Sequence, residues 1–373
     1  MKKILFLYGP LNAGGAERVL IDVLRNLDYN RFDVTLCLMV HQGVLLPEVP
    51  KQVTLISLWD HYSMYYKLAY RLSIWFSNNF MFTQVLKKKI TGTYDVEISF
   101  LEGLPLKLHA LLQTKAKKIS WVHCDLFHFH YTKDQFRNND ELVAYNKMNA
   151  VVCVSNDAKL AFEKRFPTCS TSTTVIYNPV DSKKIEMMAQ QPMAKNTVFT
   201  IVCVGRLTLP KKLDRVIRLA ARLKEEQYKI HFQIIGEGEL KNDLLAQVTA
   251  YNVSDCVALL GYVSNPFPYI KNADILLLSS GFEGFGLVVC EAMALGIPVV
   301  STTTAGPTEI IDCNKYGLLC EHDDESIYKA VKRMIEDDDL RMHYKEVGLQ
   351  RANDFSVKNM VSQFDKMINE LTT

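Results

Sequence analysis

Two glutamates separated by seven residues form a pair that could bind opposite ends of one ligand. Glu283 and Glu291 flank a glycine-broken stretch, Gly284-Phe285-Gly286-Leu287-Val288. If the residues between them are mostly helical, the glutamates lie roughly 12 Å apart, at about 1.5 Å per residue. That separation is too large for a carboxylate pair that acts on one bond. The alternative interpretation is one solvated helix residue and one turn residue, neither with a function.

The stretch between the glutamates has the composition of a phosphate site. Its glycines let the backbone approach a ligand closely. An anion is favoured at a helix start by free amides, here those of Gly286, Leu287 and Val288. The pattern predicts a nucleotide diphosphate sugar, with sugar hydroxyls at Glu283, the diphosphate at the helix start and ribose hydroxyls at Glu291.

The surrounding residues predict the elements that position this site. Ala273–Leu278 is an almost wholly apolar run, typical of a strand buried on both faces. A helix is predicted to begin near Leu287 and to end at Gly296 in a left-handed cap, and Ile297–Ser301 is predicted to be the next parallel strand. Ligands of open α/β sheets bind at the carboxyl ends of such strands.

This motif resembles the donor site of the retaining glycosyltransferases of family 4. The resemblance is carried by Glu283 and Glu291, by the Phe-Glu-Gly-Phe-Gly context and by the following Glu-Ala-Met-Ala-Leu-Gly-Ile-Pro-Val-Val. It implies the GT-B fold, an α/β architecture of two facing Rossmann-like domains with the active site in a deep cleft. It also implies donor contacts from Phe285, Gly286, Leu287 and Val288.

The length of the chain fits two domains. At 373 residues it is long for one domain and allows two of about 180 residues each. We expect an N-terminal acceptor-side domain at 1–181, a polar linker at 182–196 and a nucleotide-sugar-binding domain at 197–354. A C-terminal helix at 355–373 is expected to cross back to the first domain.

Charge differs between the two halves. The net charge of +2 implies no nucleic-acid partner. Residues 1–180 carry 21 Lys and Arg against 15 Asp and Glu, a net charge of +6, and the remainder carries 22 against 26, a net charge of −4. The basic half is therefore expected to face anionic acceptors or an anionic membrane surface.

Cysteine usage and hydropathy favour a cytoplasmic protein. The nine cysteines include no Cys-x-x-Cys pair, and several lie in apolar runs, so we expect reduced thiols. No apolar stretch approaches the roughly 20 residues of a membrane span. The apolar run Ile4–Tyr8 is too short for the core of a signal peptide.

A second glycine loop follows the first predicted strand, Lys3–Tyr8, and opens a helix. The loop does not match Gly-x-Gly-x-x-Gly, which argues against a dinucleotide site. In the resembled family the equivalent Gly-Gly-Ala-Glu loop lies near the donor phosphate and the acceptor. This implies donor contacts from Gly14 and Gly15 and an acceptor contact from Glu17. A tight turn without a ligand remains the alternative.

Residues 59–92 interleave aromatic side chains with basic ones and end in Lys87-Lys88-Lys89. Such a segment can lie peripherally on the inner face of the cell membrane, where rings bury shallowly and cations meet anionic lipid phosphates. It can also pack its aromatic stripe onto its own domain. The sequence leaves both interpretations open.

Two polar residues in the first half follow predicted strands. Glu102 is the candidate for acceptor binding, and the resemblance implies that His123 contacts the transferred sugar. His123, His128 and His130 lie within eight residues, which raises the question of a metal site. Because no partnering carboxylate or cysteine spacing is fixed nearby, we expect none.

The second half opens with a strand and two cations, Arg206 and Lys211. These could converge on a diphosphate, the guanidinium as a bidentate donor and the ammonium as a compact charge. They match the family's Gly-Arg-Leu and Lys-Gly elements, with Lys212 in place of the usual glycine. The resemblance also implies donor contacts at later strand ends, namely Gly236, Tyr262 and Val263.

Together these features predict transfer of a sugar from a nucleotide diphosphate sugar, with a UDP-sugar favoured, to a hydroxyl of a glycan or lipid-linked glycan. The expected role is in cell-surface polysaccharide or glycoconjugate synthesis. Arg206 and Lys211 would stabilise charge on the departing diphosphate while Glu283 and His123 hold the sugar, so no metal or other cofactor is expected. The alternatives are a sugar-nucleotide epimerase on the same fold and a nucleotide-sugar-binding subunit without catalysis.

Overall fold

The computed structural model describes residues 1–12 and 14–373, which divide into two α/β units. The first unit comprises Met1–Pro179 together with Val357–Thr373, and the second comprises Val180–Ser356. Each unit contains one parallel sheet. In the described part of the chain, no helix has the length and apolar content needed to cross a membrane.

The first unit is built on a seven-stranded sheet. Its strands are β1 (Lys2–Tyr8), β2 (Phe32–Val40), β3 (Thr54–Trp59), β4 (Val96–Ser99), β5 (Lys117–Val122), β6 (Ala150–Cys153) and β7 (Ser172–Val175). Its helices up to β7 are α1 (Gly15–Asn26), α2 (Met64–Phe76), α3 (Phe80–Lys89), α4 (Leu104–His109), α5 (Asp140–Tyr145) and α6 (Asn156–Arg165). Strands β2, β4 and β6 are buried almost throughout, as expected for a parallel sheet covered on both faces.

The strand order of the first sheet is β3-β2-β1-β4-β5-β6-β7. The chain therefore builds outward from β1 in one direction and from β4 in the other. The carboxyl ends of β1 and β4 flank the topological switch point, where open α/β sheets bind ligands. The loop that contains Gly14 and Gly15 follows β1, and Glu102 follows β4.

The second unit is built on a six-stranded sheet. Its strands are β8 (Phe199–Val204), β9 (Ile230–Ile235), β10 (Val257–Gly261), β11 (Ile275–Leu278), β12 (Val299–Thr302) and β13 (Leu318–Cys320). Its helices are α7 (Ser182–Met188), α8 (Asp214–Glu225), α9 (Lys241–Ala250), α10 (Phe267–Lys271), α11 (Leu287–Ala294), α12 (Ala305–Ile311), α13 (Asp324–Glu336) and α14 (Asp338–Ala352). The strand order is β10-β9-β8-β11-β12-β13, so the switch point lies between β8 and β11.

The last helix, α15 (Val357–Thr372), belongs to the first unit because it packs on the first sheet. The Phe364 ring stacks on Phe6 and on Trp121, with centroids 6.3 Å apart in both pairs. The Lys2 ammonium donates to the Asn369 side-chain oxygen at 2.9 Å. Apolar and polar contacts therefore hold α15 to the amino end of the chain.

Residues 182–196, expected to be a linker, begin instead with a helix of the second unit. The Asp181 side chain accepts a hydrogen bond from the Lys184 amide at 3.0 Å and caps α7. Ile185 is 5% exposed, and α7 packs against α10 and α11. The polar composition of the range concealed the buried apolar residues Ile185 and Ala189.

Candidate active site

The loops after β8 and β11 meet at the switch point of the second sheet. The Lys211 ammonium forms an ion pair with Glu283 Oε1. The Ser280 hydroxyl donates to the same oxygen at 2.8 Å. Only 23% of the Lys211 side chain and 13% of the Glu283 side chain are exposed. The structure thus brings together a cation and a carboxylate that lie 72 positions apart in the sequence.

Hydrogen bonds to backbone carbonyls hold these two loops together. The Ser279 hydroxyl donates to the carbonyl oxygens of Lys211 at 2.9 Å and Lys212 at 3.2 Å. The Gly281 amide donates to the Pro210 carbonyl at 2.7 Å. Sequence reasoning missed Ser279 and Ser280. The sequence pattern that could have identified them is a pair of hydroxyl side chains at the end of a buried apolar strand.

Lys212 adopts the left-handed backbone that glycine would favour, with φ 49° and ψ 42°. For a residue with a Cβ this conformation costs about 1–2 kcal/mol. The Lys212 side chain lies along Gly281. A Cβ added to Gly281 would stand 3.6 Å from both Cγ and Cε of Lys212. Lysine in place of the glycine of the resembled family therefore keeps the turn, at a cost in backbone strain.

Arg206 follows β8, five positions before Lys211, and is exposed. Among the described residues, its guanidinium is in no ion pair. Gly205 leaves room for the neighbouring cation, because a Cβ there would stand 3.3 Å from Lys211 Cε. The two cations expected to bind a diphosphate thus follow the same strand, one paired with Glu283 and the other facing solvent.

Gly236 is required where the loops after β8 and β9 cross. Its φ is +148°, and a Cβ would stand 1.9 Å from the Gly205 carbonyl oxygen. Its amide donates to the Gly261 carbonyl at 2.8 Å, which joins the loop after β10. Tyr262 is 51% exposed and Val263 is half-buried. The expected donor residues at these strand ends therefore share one edge of the sheet.

Helix α11 begins at Leu287, as predicted, after Gly286 in the left-handed conformation at φ +81°. It ends at Ala294, two residues before the left-handed Gly296 with φ +70°, and β12 follows in parallel with β11. Glu291 is half-buried on this helix. The assumption of a mostly helical stretch between the two glutamates holds only from Leu287 onward.

Phe285 turns its side chain into the protein. It is 4% exposed, and its ring packs edge-on against Phe355 with centroids 5.5 Å apart. A Cβ on Gly306 would stand 2.2 Å from Phe285 Cα. The expected donor contact at this position is thus restricted to its backbone.

Glu102 does not fit the expected contact with an acceptor, because it is 2% exposed. Its carboxylate accepts the His123 backbone amide at 3.0 Å and interacts with the Cys124 thiol and the Tyr131 hydroxyl. Burial raises the pKa of Glu102. The strand pattern placed Glu102 at the correct sheet edge but could not show that the side chain points inward.

His123 follows β5, and its ring lies 5.0 Å from the Phe100 ring between centroids. Burial lowers the pKa of His123 to about 3. Its Nε2 is buried and has no hydrogen-bond partner among the described residues. At neutral pH the imidazole is therefore uncharged and suited to hydrogen bonding rather than to acid catalysis.

The other two histidines of this region pair with separate carboxylates. His128 Nδ1 lies 2.7 Å from Asp125 Oδ2, and His130 Nε2 lies 2.7 Å from Glu141 Oε2. Within residues 1–12 and 14–373, no three His, Cys, Asp or Glu side chains are grouped so that they could hold a metal ion.

The glycine loop after β1 leads into α1, with Gly14 at the N-cap and Gly15 as the first helical residue. A Cβ on Gly14 would meet Glu17 Oε2 at 2.3 Å, so the Glu17 side chain folds back over the loop. Around Gly15 there is open space. A ligand can therefore approach the backbone at Gly15, and Glu17 lies beside that point.

Family comparisons divide the chain at the same region as the structure. Residues 13–184 match the family model described as Glycosyltransferase Family 4, and residues 184–351 match the model described as Glycosyl transferases group 1. A relative in Campylobacter jejuni is 30% identical over 366 residues, covering 95% of this chain and 96% of the relative. Its name is N-acetylgalactosamine-N,N'-diacetylbacillosaminyl-diphospho-undecaprenol 4-alpha-N-acetylgalactosaminyltransferase.

Solved structures share the fold. HepE of Anabaena, in complex with UDP-glucose, aligns with a TM-score of 0.79 at 20% identity over 99% of this chain and 100% of that one. Sucrose-phosphate synthase of Thermosynechococcus elongatus aligns with a TM-score of 0.79 at 16% identity over 99% of each chain. These similarities and the two parallel-sheet units confirm the predicted GT-B class.

Proposed function

The chain belongs to the family 4 glycosyltransferases, and from that premise we propose that it transfers a sugar from a UDP-sugar to a hydroxyl of a lipid-linked glycan, with retention at the anomeric carbon. The observation that carries the proposal is the Lys211–Glu283 ion pair at the switch point between β8 and β11. Lys211 lies on the loop after β8, and Glu283 lies on the loop that leads into α11, whose amino end favours an anion. A cation, a sugar-binding carboxylate and a phosphate site thus follow adjacent strands.

Support for the donor and the acceptor comes from the relatives. The HepE structure contains UDP-glucose, which supports a UDP-sugar donor for this fold. The name of the Campylobacter jejuni relative specifies transfer of N-acetylgalactosamine to a glycan on diphospho-undecaprenol. We therefore assign a lipid-linked glycan as the acceptor, and cell-surface polysaccharide or glycolipid synthesis as the role.

In the proposed reaction, negative charge builds on the leaving diphosphate as the bond to the sugar breaks. Lys211 and Arg206 stabilise that charge together with the amides at the start of α11, so no metal ion is needed. The leaving phosphate accepts the proton of the attacking hydroxyl on the same face of the sugar, which preserves the anomeric configuration. Glu283 holds the sugar hydroxyls and Glu291 the ribose.

A donor screen tests this proposal. Purified protein is heated with UDP-, GDP- and ADP-sugars. A ligand that binds only the folded state stabilises it by about 2.7 kcal/mol when the ligand concentration is 100 times the Kd. The stabilising donor is then incubated with and without EDTA, with water as the acceptor, and UDP release and the initial anomeric configuration of the freed sugar are measured. We expect that EDTA does not reduce UDP release. We also expect that an anomeric bond that is axial in the donor is axial in the product. Failure of every sugar nucleotide to stabilise the protein would overturn the proposal.

We further propose that the first unit binds an anionic membrane surface through residues 59–92. Part of the segment packs inward: the Tyr66 ring contacts Trp59 at 5.1 Å between centroids, and Phe82 is fully buried. The remainder faces solvent. The exposed large side chains, with their exposed fractions, are Tyr62 43%, Met64 86%, Tyr65 46%, Leu68 50%, Trp75 61%, Phe76 64% and Phe80 67%. Exposed Lys87, Lys88 and Lys89 end the adjacent helix, so apolar and cationic groups lie on neighbouring elements.

Vesicle sedimentation tests this surface. Replacing Lys87, Lys88 and Lys89 with alanine should reduce binding to vesicles that contain phosphatidylglycerol, at about 1 kcal/mol per lysine near the surface. A matched control replaces three exposed lysines of the second unit, Lys183, Lys195 and Lys271. If both triple variants lose the same amount of vesicle binding, only net charge matters. Unchanged vesicle binding in the Lys87, Lys88 and Lys89 variant would exclude residues 59–92 as a membrane-binding surface.

A further inference from the structure

Glu283 is held through one of its two carboxylate oxygens. Its Oε1 accepts the Ser280 hydroxyl at 2.8 Å and pairs with the Lys211 ammonium. Its Oε2 accepts no hydrogen bond from the described residues. Within the same part of the chain, no Glu283 atom is both buried and without a partner, so Oε2 is in contact with solvent. The carboxylate therefore has one anchored oxygen and one accessible oxygen.

The residue that anchors Oε1 is itself buried and is fixed from the neighbouring strand. Ser280 is 0% exposed, and its carbonyl accepts the Thr302 hydroxyl at 2.6 Å. Thr302 is the last residue of β12 and is also 0% exposed. The same Thr302 hydroxyl lies 3.3 Å from the Leu278 carbonyl at the end of β11. A series of hydrogen bonds thus connects β12 to the backbone of Ser280, whose side chain holds the carboxylate.

The residues on either side of Ser280 are bound to other elements of the second unit. The Ser279 carbonyl accepts a hydrogen bond from the Arg215 guanidinium of α8 at 3.2 Å. The Gly281 amide donates to the Pro210 carbonyl in the loop after β8 at 2.7 Å. Three consecutive residues are therefore each fixed by a different element. A group carried by this backbone is held in place before any ligand arrives, which lowers the entropy cost of binding.

We propose that Ser280 and Thr302 are positioning residues that present Glu283 Oε2 to a hydroxyl of the donor sugar. A buried hydroxyl donates its single proton to one carboxylate oxygen, and the other oxygen is left to accept from a ligand. A glutamate that is already held loses less rotamer freedom when the sugar binds. The inference rests on the proposed function, which assigns the donor sugar to Glu283, and all residues that carry it belong to the second unit.

Isothermal titration calorimetry on the full chain tests the positioning role. The probes are UDP, UDP-glucose, UDP-galactose, UDP-N-acetylglucosamine and UDP-N-acetylgalactosamine. UDP has no sugar hydroxyls, so its Kd reports the nucleotide site without the contact to Glu283. Ser280→Ala removes a hydrogen bond to a charged group. We expect it to raise the Kd of the UDP-sugar that the wild type binds roughly tenfold, and the Kd of UDP by less than about twofold.

A second pair of variants tests the connection to β12. Thr302→Val removes the hydroxyl and nearly keeps the shape of the side chain, so it should also raise the Kd of the UDP-sugar more than the Kd of UDP. Thr302→Ser keeps the hydroxyl and should retain the wild-type ratio of the two Kd values. Ser301→Ala is the matched control, because Ser301 is equally buried on β12 and its hydroxyl donates to the Thr302 carbonyl at 3.0 Å. It should leave both Kd values unchanged.

A double variant shows whether Ser280 acts through Glu283. In a Glu283→Ala background, Ser280→Ala should cause no further rise in the Kd of the UDP-sugar. Melting temperatures show that each variant is folded. An additive loss in the double variant would overturn the positioning role. Equal weakening of UDP and UDP-sugar in Ser280→Ala, or no weakening of the UDP-sugar, would overturn it as well.

The wild type separates this inference from the proposed function. If the wild type binds neither UDP nor any of the four UDP-sugars, the proposed function fails and this inference fails with it. If the wild type binds a UDP-sugar and Ser280→Ala binds it equally well, only the positioning role fails.

Discussion

Replacing Lys211 with methionine separates the catalytic role that we propose for this lysine from its structural role. Methionine keeps most of the length of the side chain and removes the charge. In the structure, the ammonium pairs with Glu283, whose Oε1 also accepts the Ser280 hydroxyl at 2.8 Å. The substitution therefore removes a cation from the proposed diphosphate site and also leaves a carboxylate without its counter-ion.

The catalytic effect should exceed the effect on donor binding. Charge on the diphosphate grows as the sugar departs, so a cation at this place stabilises the transition state more than the bound donor. Loss of one such preorganised group lowers kcat by roughly 10²- to 10³-fold, equivalent to about 3–4 kcal/mol. We expect the Kd of the donor to rise by less than about tenfold.

The stability effect follows from burial. Because only 13% of the Glu283 side chain is exposed, an unpaired carboxylate there should cost about 1–3 kcal/mol of unfolding free energy. Adding Glu283→Gln removes the unpaired charge, so the double variant should recover much of this loss while kcat stays low.

The measurements are UDP release at saturating donor, donor Kd from thermal shift and urea unfolding for both single variants and the double variant. Lys212→Met is the matched control, because it removes the adjacent ammonium outside the Glu283 pair. A kcat of Lys211→Met within threefold of the wild type would refute the charge-stabilising role. Equal kcat losses in Lys211→Met and Lys212→Met would refute the specificity of the ion pair.

Three further outcomes are expected. Gly306→Ala should destabilise the second unit by roughly 3 kcal/mol or more in urea unfolding, because the added Cβ would stand 2.2 Å from Phe285 Cα. Gly15→Ala is the control: its Cβ meets nothing within 4 Å, so the unfolding free energy should change by less than about 1 kcal/mol. Lys212→Gly should raise the unfolding free energy by up to about 1 kcal/mol, since relief of the left-handed strain outweighs the added freedom of the unfolded chain; a clear loss would contradict this. The pKa of His123 falls from 6.5 to about 3 on folding, so below pH 6.5 the unfolded chain binds a proton that the folded chain does not. The unfolding free energy should therefore fall from pH 6.5 toward pH 3 by up to about 1.4 kcal/mol per pH unit. A His123→Gln variant whose unfolding free energy has the same pH dependence between about pH 7.5 and 5.5 would contradict this.

Local signals in the sequence were sufficient for the elements of the second unit around the glutamates. An apolar run, a glycine and a helical stretch predicted β11, the start of α11 at Leu287 and the left-handed Gly296, and each is present. Such features depend on backbone conformation and burial within a few residues, which composition reports directly. The sequence also placed Arg206 and Lys211 at the end of β8.

The direction of side chains was beyond the sequence. Glu102 and Phe285 follow strands, as expected, yet Glu102 is buried and bonded to the His123 amide, and the Phe285 ring packs on Phe355. A pattern of residue types locates the end of a strand, but it does not show which residues surround a side chain at that end. The apolar anchor Ile185, which places α7 in the second unit, was hidden for the same reason.

The sequence by itself determined the α/β class, the strand ends that hold polar groups and the residue types available for a nucleotide sugar. Only the tertiary structure decided which groups meet: Lys211 with Glu283 across 72 positions, and His123 with Tyr131 through one buried carboxylate. The physical reason is that strand order, set by the packing of the whole sheet, brings distant strand ends together at a switch point. Spacing along the chain carries no information about that order.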